Sequence, residues 1–259
     1  MNVHVVSLLA PLAMLVAAAA GFLEPGRRPR LAARVAEPAA LGALVAAAIS
    51  ALVVMARGPG EARIFGVATL LDGLTSVMLL LVAFVGWVVL RYARTYMDGE
   101  RREGAFTGWL ALTLAAVLTL VQAGHLALFA VAFVATSAFL HRLLLFRPDR
   151  PAATRAARKK FVTARLGDAA LIAAAVLLND AYGTAAIAEI LDAARSGEAP
   201  AGALWAAGLL AIAALLKSAQ FPTHGWLTEV METPTPVSAL LHAGVINAGG
   251  FLLIRFADV

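Results

Sequence analysis

The sequence predicts an all-α polytopic membrane protein with about eight transmembrane helices. Of the 259 residues, 61% are hydrophobic and only 14% are charged, whereas soluble domains have about 45–50% apolar and about 25% charged residues. The mean hydropathy is +0.84. The apolar residues form runs close to the length of about 20 residues that a spanning helix needs. No run shows the two-residue alternation that indicates a strand.

Eight apolar runs follow one another along the chain, with short polar segments between them. In chain order they are Val3–Leu23, Ala39–Ala56, Leu70–Leu90, Phe106–Val121, Leu126–Phe146, Phe161–Leu178, the interrupted run Leu204–Met231, and Val237–Phe256. The first run has no basic segment before it and is longer than the apolar core of a signal peptide, so it is interpreted as a transmembrane helix. The polar segments are too short to bury a core, so residues 1–259 are predicted to form a single transmembrane domain.

The distribution of arginine and lysine predicts the orientation of the chain, because short loops rich in these residues remain in the cytoplasm. The segments after the first, third and fifth runs carry most of them: Arg27, Arg28, Arg30, Arg34, Arg91, Arg94, Arg101, Arg102, Arg147, Arg150, Arg155, Arg158, Lys159, Lys160 and Arg165. The segments on the opposite side carry Arg57, Arg63 and Arg195. We therefore expect the N-terminus outside. The turn of Gln122, Ala123 and Gly124 between the fourth and fifth runs then faces outward as well.

The seventh run contains a charge and a helix break at nearly the same place. Leu204–Met231 is too long for one straight crossing, and Phe221-Pro222 lies inside it, where proline removes a backbone hydrogen bond. Lys217 lies close to this break, near the middle of the predicted crossing. A charge at that depth costs roughly 2.5–3.5 kcal/mol on insertion scales. Lys217 is therefore predicted to be functional, and a lysine that snorkels to the headgroups is the alternative.

A polar stripe is expected around this lysine. Lys217, Gln220 and His224 lie at helical spacing, so a continuous helix would align them on one face. Burial disfavours a protonated amine and nearby negative charge favours it, so a buried lysine can take up and release a proton after a modest rearrangement. Lys217 is therefore interpreted as the member of this stripe that suits proton relay.

Three further groups near the seventh and eighth runs are candidates for this path. His242 is predicted to be a second member of the relay, with a hydrogen-bonded core histidine as the alternative. Glu229 and Glu232, together with His224, are closer to the cytoplasmic end. They are interpreted as structural groups or as part of the route by which the ion enters.

The charges around the sixth run are interpreted as surface groups. Asp168 follows Arg165 at the expected start of the helix, so a surface ion pair or a favourable helix-dipole position is preferred over a place on the ion path. Asp168 is kept as a possible supporting residue of that path. Asp72, at the mouth of the third run, is interpreted in the same way. Lys159 and Lys160 are assigned to the polar, arginine-rich segment before the sixth run, where a charge costs nothing.

Several segments resemble the antiporter-like subunits of respiratory complex I, and the large L-type subunit is the most similar variety. They are KKFVTARLGD at the sixth run, KSAQFPTHGWL in the seventh and METPTPVSALLHAG before the eighth. The resemblance implies that Lys217, in a broken seventh helix, is the central proton carrier, and that His242 joins its relay. Members of this family continue well beyond eight helices, so the chain is expected to be the N-terminal part of a longer protein.

The fifth run departs from this pattern. The complex I subunits carry a glutamate there, in a stretch of the type F-W-E-G, whereas this chain reads Phe133-Val134-Ala135-Thr136. Ala135 therefore stands where the carboxylate is expected. The segment VATSAFLHRLLLF followed by RPDRPAATRAARKKFV is more similar to the DabB subunits of bacterial inorganic carbon uptake complexes.

The resemblance implies a subunit that translocates protons or sodium ions across the bacterial inner membrane and couples this to uptake of bicarbonate or CO₂. The implied partner is a cytoplasmic DabA-like zinc protein, with the zinc in that partner and no cofactor in this chain. The alternative is a proton-pumping L-type subunit of an NADH-quinone oxidoreductase or a related membrane hydrogenase, with the other membrane subunits as partners. A structural membrane anchor is the third reading.

Some classes of function are excluded by composition. The chain has no cysteine, so it can hold neither a thiolate metal site nor an iron–sulfur cluster on its own thiolates. Its basic residues lie in short loops between apolar runs, which indicates contact with membrane lipids rather than with nucleic acid. No catalytic, cofactor or metal motif is visible, so the chain is not predicted to be an enzyme by itself.

Overall fold

The computed structural model describes residues 3–64, 67–147, 151–197, 200–228 and 233–259. A 3₁₀ turn, Val3–Leu8, leads into α1 (Leu9–Leu23). The other elements are α2 (Arg30–Arg57), β1 (Gly60–Ile64), β2 (Val67–Leu71), α3 (Gly73–Tyr96), α4 (Glu103–Val121), α5 (Leu126–Leu144), α6 (Pro151–Tyr182), α7 (Ile187–Arg195), α8 (Ala203–Lys217), α9 (Gly225–Thr228), α10 (Thr235–Leu240), a π-helical segment Leu241–Val245, and α11 (Asn247–Arg255).

The predicted class, a helical membrane protein, is confirmed. Within the described ranges, six helices are long and apolar enough to cross a membrane, and these overlap the first six predicted runs. The seventh predicted run includes the shorter apolar helix α8, and the eighth overlaps α10, the π-helical segment and α11 in succession. Length and hydropathy alone therefore identify six crossings rather than eight.

A β-hairpin precedes α3, which the apolar pattern did not predict. Strands β1 and β2 pair antiparallel, with Glu61 opposite Leu70 and Ala62 opposite Thr69. Leu70 and Leu71 were assigned to the third crossing, but they are buried residues of β2. A short apolar stretch in a strand has the same hydropathy as the start of a helix, so the pattern could not separate the two.

The hairpin forms one end of the helical bundle together with the turn between α4 and α5 and with α7, and we call this the hairpin end. Main-chain hydrogen bonds of 2.9 Å run from Leu70 N to Gln122 O and from Gly124 N to Ala68 O. A Cβ on Gly124 would lie 2.9 Å from the carbonyl carbon of Thr69, so only glycine fits. The tight turn predicted between the fourth and fifth runs is thereby confirmed.

Helix α6 begins at Pro151, ten residues before the predicted start at Phe161. Proline is tolerated at the first helical position, and the alanine, arginine and lysine residues that follow are good helix formers. The apolar-run criterion missed this part because its charges lower the hydropathy. Arg155, Arg158, Lys159 and Lys160 are consequently helical, and the assignment of Lys160 to a polar loop is wrong.

Candidate functional site

The seventh crossing is broken, as predicted, but the break starts before Pro222. Helix α8 ends at Lys217, and Ala219 has a left-handed backbone with φ of 51°, which ends a right-handed helix. The amide of Gln220 donates to the carbonyl of Leu215 at 3.1 Å and closes the last turn. The lysine is therefore the last residue of a half-helix, where the helix dipole favours a cation.

Lys217 is buried, with 7% of its surface exposed, and it is held by α5. Its Nζ donates to the carbonyl oxygen of Phe133 at 2.9 Å and to the hydroxyl of Ser137 at 2.7 Å. The same nitrogen lies 3.8 Å from the centroid of the Phe133 ring, at cation–π distance. These partners are neutral, so none of them balances the charge of the ammonium group.

Lys160 is a second buried lysine at this place, and only 4% of it is exposed. Its Nζ donates to the carbonyl oxygen of Ser137 at 2.6 Å, so both lysines contact the same residue of α5. One signal in the sequence could have revealed it. Lys160 lies four residues before Ala164 and eight before Asp168, which are buried on the same face of α6.

Asp168 lies in the middle of α6 and not at its start, and 4% of it is exposed. The interpretation of this residue as a surface group is wrong, because α6 begins seventeen residues earlier. Its carboxylate pairs with Arg165 at 2.5 Å, as expected from their spacing. It also interacts electrostatically with Lys160 and Lys217. Asp168 thus supplies negative charge beside the two lysines.

A cavity close to the size of one water molecule lies between these groups. Ser137, Lys160, Lys217 and Trp226 are among the residues that line it. The indole Nε1 of Trp226 is buried and has no hydrogen-bond partner among the described residues. The cavity therefore borders both lysines, and a single water molecule placed in it could contact their amines.

The polar stripe predicted beyond Lys217 does not form, because the helix ends at that residue. Gln220 and His224 are exposed, and the ring of His224 stacks on Phe221 with a centroid distance of 5.8 Å. Glu229 and Glu232 lie outside the described residues.

His242 lies in the π-helical segment, and its side chain is exposed. Within the described part of the chain, no hydrogen bond or ion pair joins it to Lys217. Single π-helical turns are frequent at functional sites, and the role of His242 in the relay stays a prediction.

Ala135 does not face Lys217. It borders a groove with Leu15, Leu112 and Phe139, on the side of α5 that faces α1 and α4. The reason is the helical period, since Phe133 and Ser137 are one turn apart and Ala135 lies between them on the opposite face. A carboxylate at position 135 would therefore point away from the lysine. Helix α5 has no acidic residue, and the buried carboxylate that interacts with Lys217 comes from α6.

Helices α8 and α11 approach closely at one glycine. A Cβ on Gly249 would lie 2.4 Å from the carbonyl oxygen of Ala214 and 2.0 Å from the hydroxyl of Ser218. A Cβ on Gly250 would meet nothing within 4 Å. Close packing between α8 and α11 therefore occurs at Gly249, and it fixes the end of α8 that carries Lys217.

Asp72 caps α3 at the hairpin end and pairs with Arg255, as its position at a helix start suggested. Its carboxylate accepts from the amide of Thr75 at 2.8 Å and lies 2.5 Å from Nη1 of Arg255. Burial alone would raise the pKa of Asp72, but the Arg255 guanidinium and the Thr75 amide favour the ionised form and lower it below its ordinary value. This pair connects the start of α3 to the last helical residue of the chain.

Comparison with known proteins identifies the family. Residues 123–259 match the family described as "NADH:quinone oxidoreductase/Mrp antiporter, TM", and residues 64–107 match "NADH-Ubiquinone oxidoreductase (complex I), chain 5 N-terminus". The chain belongs to the NADH:quinone oxidoreductase/Mrp antiporter family. The resemblance inferred from the sequence is thereby confirmed.

The chain matches only part of the length of its relatives in the antiporter family. The chain is 47% identical to the probable inorganic carbon transporter subunit DabB of Hydrogenovibrio crunogenus over 71% of this chain and 36% of that protein. It is 42% identical to the subunit DabB2 of Halothiobacillus neapolitanus, over 78% and 37% respectively. It is 35% identical to the NADH-quinone oxidoreductase subunit L of Escherichia coli, over 73% and 32%. The chain thus spans about a third of these relatives.

Two solved structures share the fold. The Mrp complex from Dietzia sp. DQ12-45-1b aligns over 96% of this chain and 28% of that chain, with a TM-score of 0.77 and 30% identity. An archaeal membrane-bound sulfane sulfur reductase aligns over 99% of this chain and 54% of that chain, with a TM-score of 0.82 and 18% identity, and shows the fold alone.

Proposed function

We propose that the protein is the proton-translocating membrane subunit of an inorganic carbon uptake complex, with Lys217 as the proton carrier. The observation that carries this proposal is a lysine buried at the end of a broken helix, whose Nζ is held by Phe133 O and Ser137 Oγ. A buried ammonium is costly in a membrane, and ionisable residues in spanning segments mark ion paths. An amine binds a proton and does not bind sodium, so the proton is the ion we assign to this site.

The assignment to carbon uptake rests on the relatives. Identity to the subunits named as probable inorganic carbon transporters is 42–47%, against 35% for the L subunit of Escherichia coli. In this proposal, proton movement through the membrane subunit drives accumulation of bicarbonate or CO₂ by a cytoplasmic DabA-like zinc protein. The match to L subunits supports a second candidate, a proton-pumping subunit of an NADH-quinone oxidoreductase.

The first experiment tests Lys217 in the full-length protein, purified with its partners and reconstituted in proteoliposomes with a pH-sensitive dye inside. Lys217→Met removes the proton-binding group, and Lys217→Arg keeps the charge but holds its proton at physiological pH. Both variants should lose proton flux, while Lys159→Met, on the exposed neighbour of Lys160, should keep it. Flux through Lys217→Arg at the parental rate would refute the role of Lys217 as carrier.

The second experiment separates the two candidate complexes. Affinity purification from gently solubilised membranes should recover a zinc-containing soluble subunit, and the cells should lose bicarbonate uptake with the Lys217 variants. Recovery of flavin and iron–sulfur subunits instead would show that the protein belongs to an oxidoreductase complex.

The proposed orientation, with the N-terminus outside the bacterial inner membrane, can be tested directly because the chain has no cysteine. A single cysteine at exposed Ser196 should react with an impermeant maleimide in intact cells, and one at exposed Arg101 should react only after lysis. The reverse labelling pattern would show that the N-terminus lies in the cytoplasm.

A further inference from the structure

Lys160 is a buried charge that a carrier role for Lys217 does not account for. It is 4% exposed, and it lies on α6 rather than on the broken helix. Its Nζ contacts the carbonyl oxygen of Ser137, and Lys217 contacts the hydroxyl oxygen of the same residue. Two primary amines are therefore held at the two oxygen atoms of one residue.

The charges around the two lysines do not balance when both carry a proton. Lys160, Lys217 and Arg165 are cationic in that state, and Asp168 provides one negative charge. From α5, the imidazole of His141 also faces Lys160 and packs against Phe161. Two neighbouring ammonium groups repel each other in a medium of low dielectric constant, so protonation of one disfavours protonation of the other.

We propose that Lys160 is a second proton-binding residue of the translocation path and exchanges a proton with Lys217 at the Ser137 contact. This inference rests on the proposed function and extends it. In the exchange, Nζ of Lys217 gives up a proton and becomes a neutral amine, while Nζ of neutral Lys160 gains a proton and becomes an ammonium ion. The Ser137 hydroxyl, or a water molecule in the adjoining cavity, accepts one proton and donates another, so the relay itself is unchanged.

The position of Lys160 gives the exchange a direction along the bundle. Helix α8 starts at the hairpin end and brings Lys217 about 21 Å along the bundle, at 1.5 Å per residue. Lys160 lies about 14 Å from the start of α6, which is at the opposite, arginine-rich end. Lys160 is therefore placed to connect Lys217 with that end, through the cavity that both residues line.

The test uses the full-length complex in proteoliposomes, with Lys160→Met, Lys160→Arg and Lys160→His compared with the control Lys159→Met. Lys160→Met should slow proton flux by about 100-fold, a typical contribution of a proton-transferring side chain. Lys160→Arg can still donate to the Ser137 carbonyl but does not release its proton, so it should be equally slow. Lys160→His should regain flux with its pH optimum shifted to lower pH, because the ordinary pKa of imidazole is about 6.5.

The Arg and His variants distinguish proton exchange from a purely structural contact. If the Lys160 ammonium only holds α6 against α5, Lys160→Arg transports at the parental rate, and this result overturns the proposal. A Lys160→His profile that superimposes on that of the parent also overturns it. If Lys160→Met does not fold, Lys160→Arg and Lys160→His still distinguish proton exchange from a structural contact.

The result for Lys217→Arg separates this inference from the proposed function. If Lys217→Arg is inactive and Lys160→Arg is active, this inference alone fails. If both variants are active, the proposed function fails as well.

Discussion

Asp72 and Arg255 form an ion pair whose two members should contribute unequally to stability. Removal of Asp72 should lower the free energy of unfolding more than removal of Arg255. The side chain of Arg255 is 3% exposed, whereas that of Asp72 is 27% exposed. Asp72→Ala would leave a buried guanidinium whose remaining partner is the Thr75 hydroxyl, at 2.6 Å. Arg255→Met would leave a carboxylate that water can reach and that still caps α3.

The expected magnitudes follow from this geometry. An uncompensated buried charge costs about 3–5 kcal/mol, and loss of an N-cap costs about 1 kcal/mol, so Asp72→Ala should destabilise by about 4–6 kcal/mol. Arg255→Met should cost about 1–3 kcal/mol, because its partner stays solvated and hydrogen-bonded. The double variant has no unpaired charge and should lie well below the sum, with a coupling energy of at least about 2 kcal/mol.

The assay is a denaturant titration in mixed micelles, followed by the fluorescence of the four tryptophans. Asp72→Asn is the matched control, because it keeps an oxygen that can cap α3 and removes only the charge. The stability of Asp72→Asn should lie between that of the parent and that of Asp72→Ala. Additive single-variant costs, or an Arg255→Met variant less stable than Asp72→Ala, would refute the reasoning.

Two further predictions concern the same bundle. Gly249→Ala should destabilise the fold by about 1–3 kcal/mol, because its Cβ meets the backbone of α8. Gly250→Ala, whose Cβ faces open space, should match the parent in thermal unfolding. Equal melting temperatures for the two variants would contradict the close approach of α8 and α11. Because the pKa of Asp72 is lowered in the folded state, the unfolded chain binds more protons. The stability from this group is then complete above about pH 3.9 and is lost as the pH falls through the folded pKa. Asp72→Asn should make stability depend less on pH below about pH 4. If the parent and the variant lose stability in parallel as the pH falls, Asp72 is not the cause of the acid sensitivity.

The sequence predicted those parts of the fold that depend on hydropathy alone. The run Leu126–Phe146 anticipated α5 within two residues, because its apolar stretch begins and ends where the helix does. Lys217 was found because it is a lone charge in an apolar run. Lys160 was missed for the opposite reason, since hydropathy cannot separate a buried charge from the solvated charges beside it.

Other errors came from assumptions about helical phase and continuity. Gln220 was placed on the face of Lys217 by assuming a helix that the left-handed residue Ala219 ends. A motif assigned Ala135 to the position of the carboxylate in the complex I subunits, but the contacts of Lys217 at Phe133 and Ser137 put Ala135 on the other side of α5. The hairpin before α3 depends on main-chain pairing with a turn about fifty residues later, which local periodicity does not contain.

Main-chain hydrogen bonds join the connecting segments at both ends of the bundle. At the hairpin end, main-chain hydrogen bonds connect β2 to the turn between α4 and α5, and Leu126 N donates to Ala185 O at 2.9 Å. At the other end, the amides of Gly104 and Ala105 donate to the carbonyls of Gly26 and Pro25 at 3.1 and 3.2 Å and join the segment after α1 to the start of α4. Solvent-exposed pairs at this end, such as Arg28 with Asp98, contribute little. A rearrangement that admits a proton should therefore leave both ends of the bundle in place and be confined to the break that follows Lys217, where α8 ends.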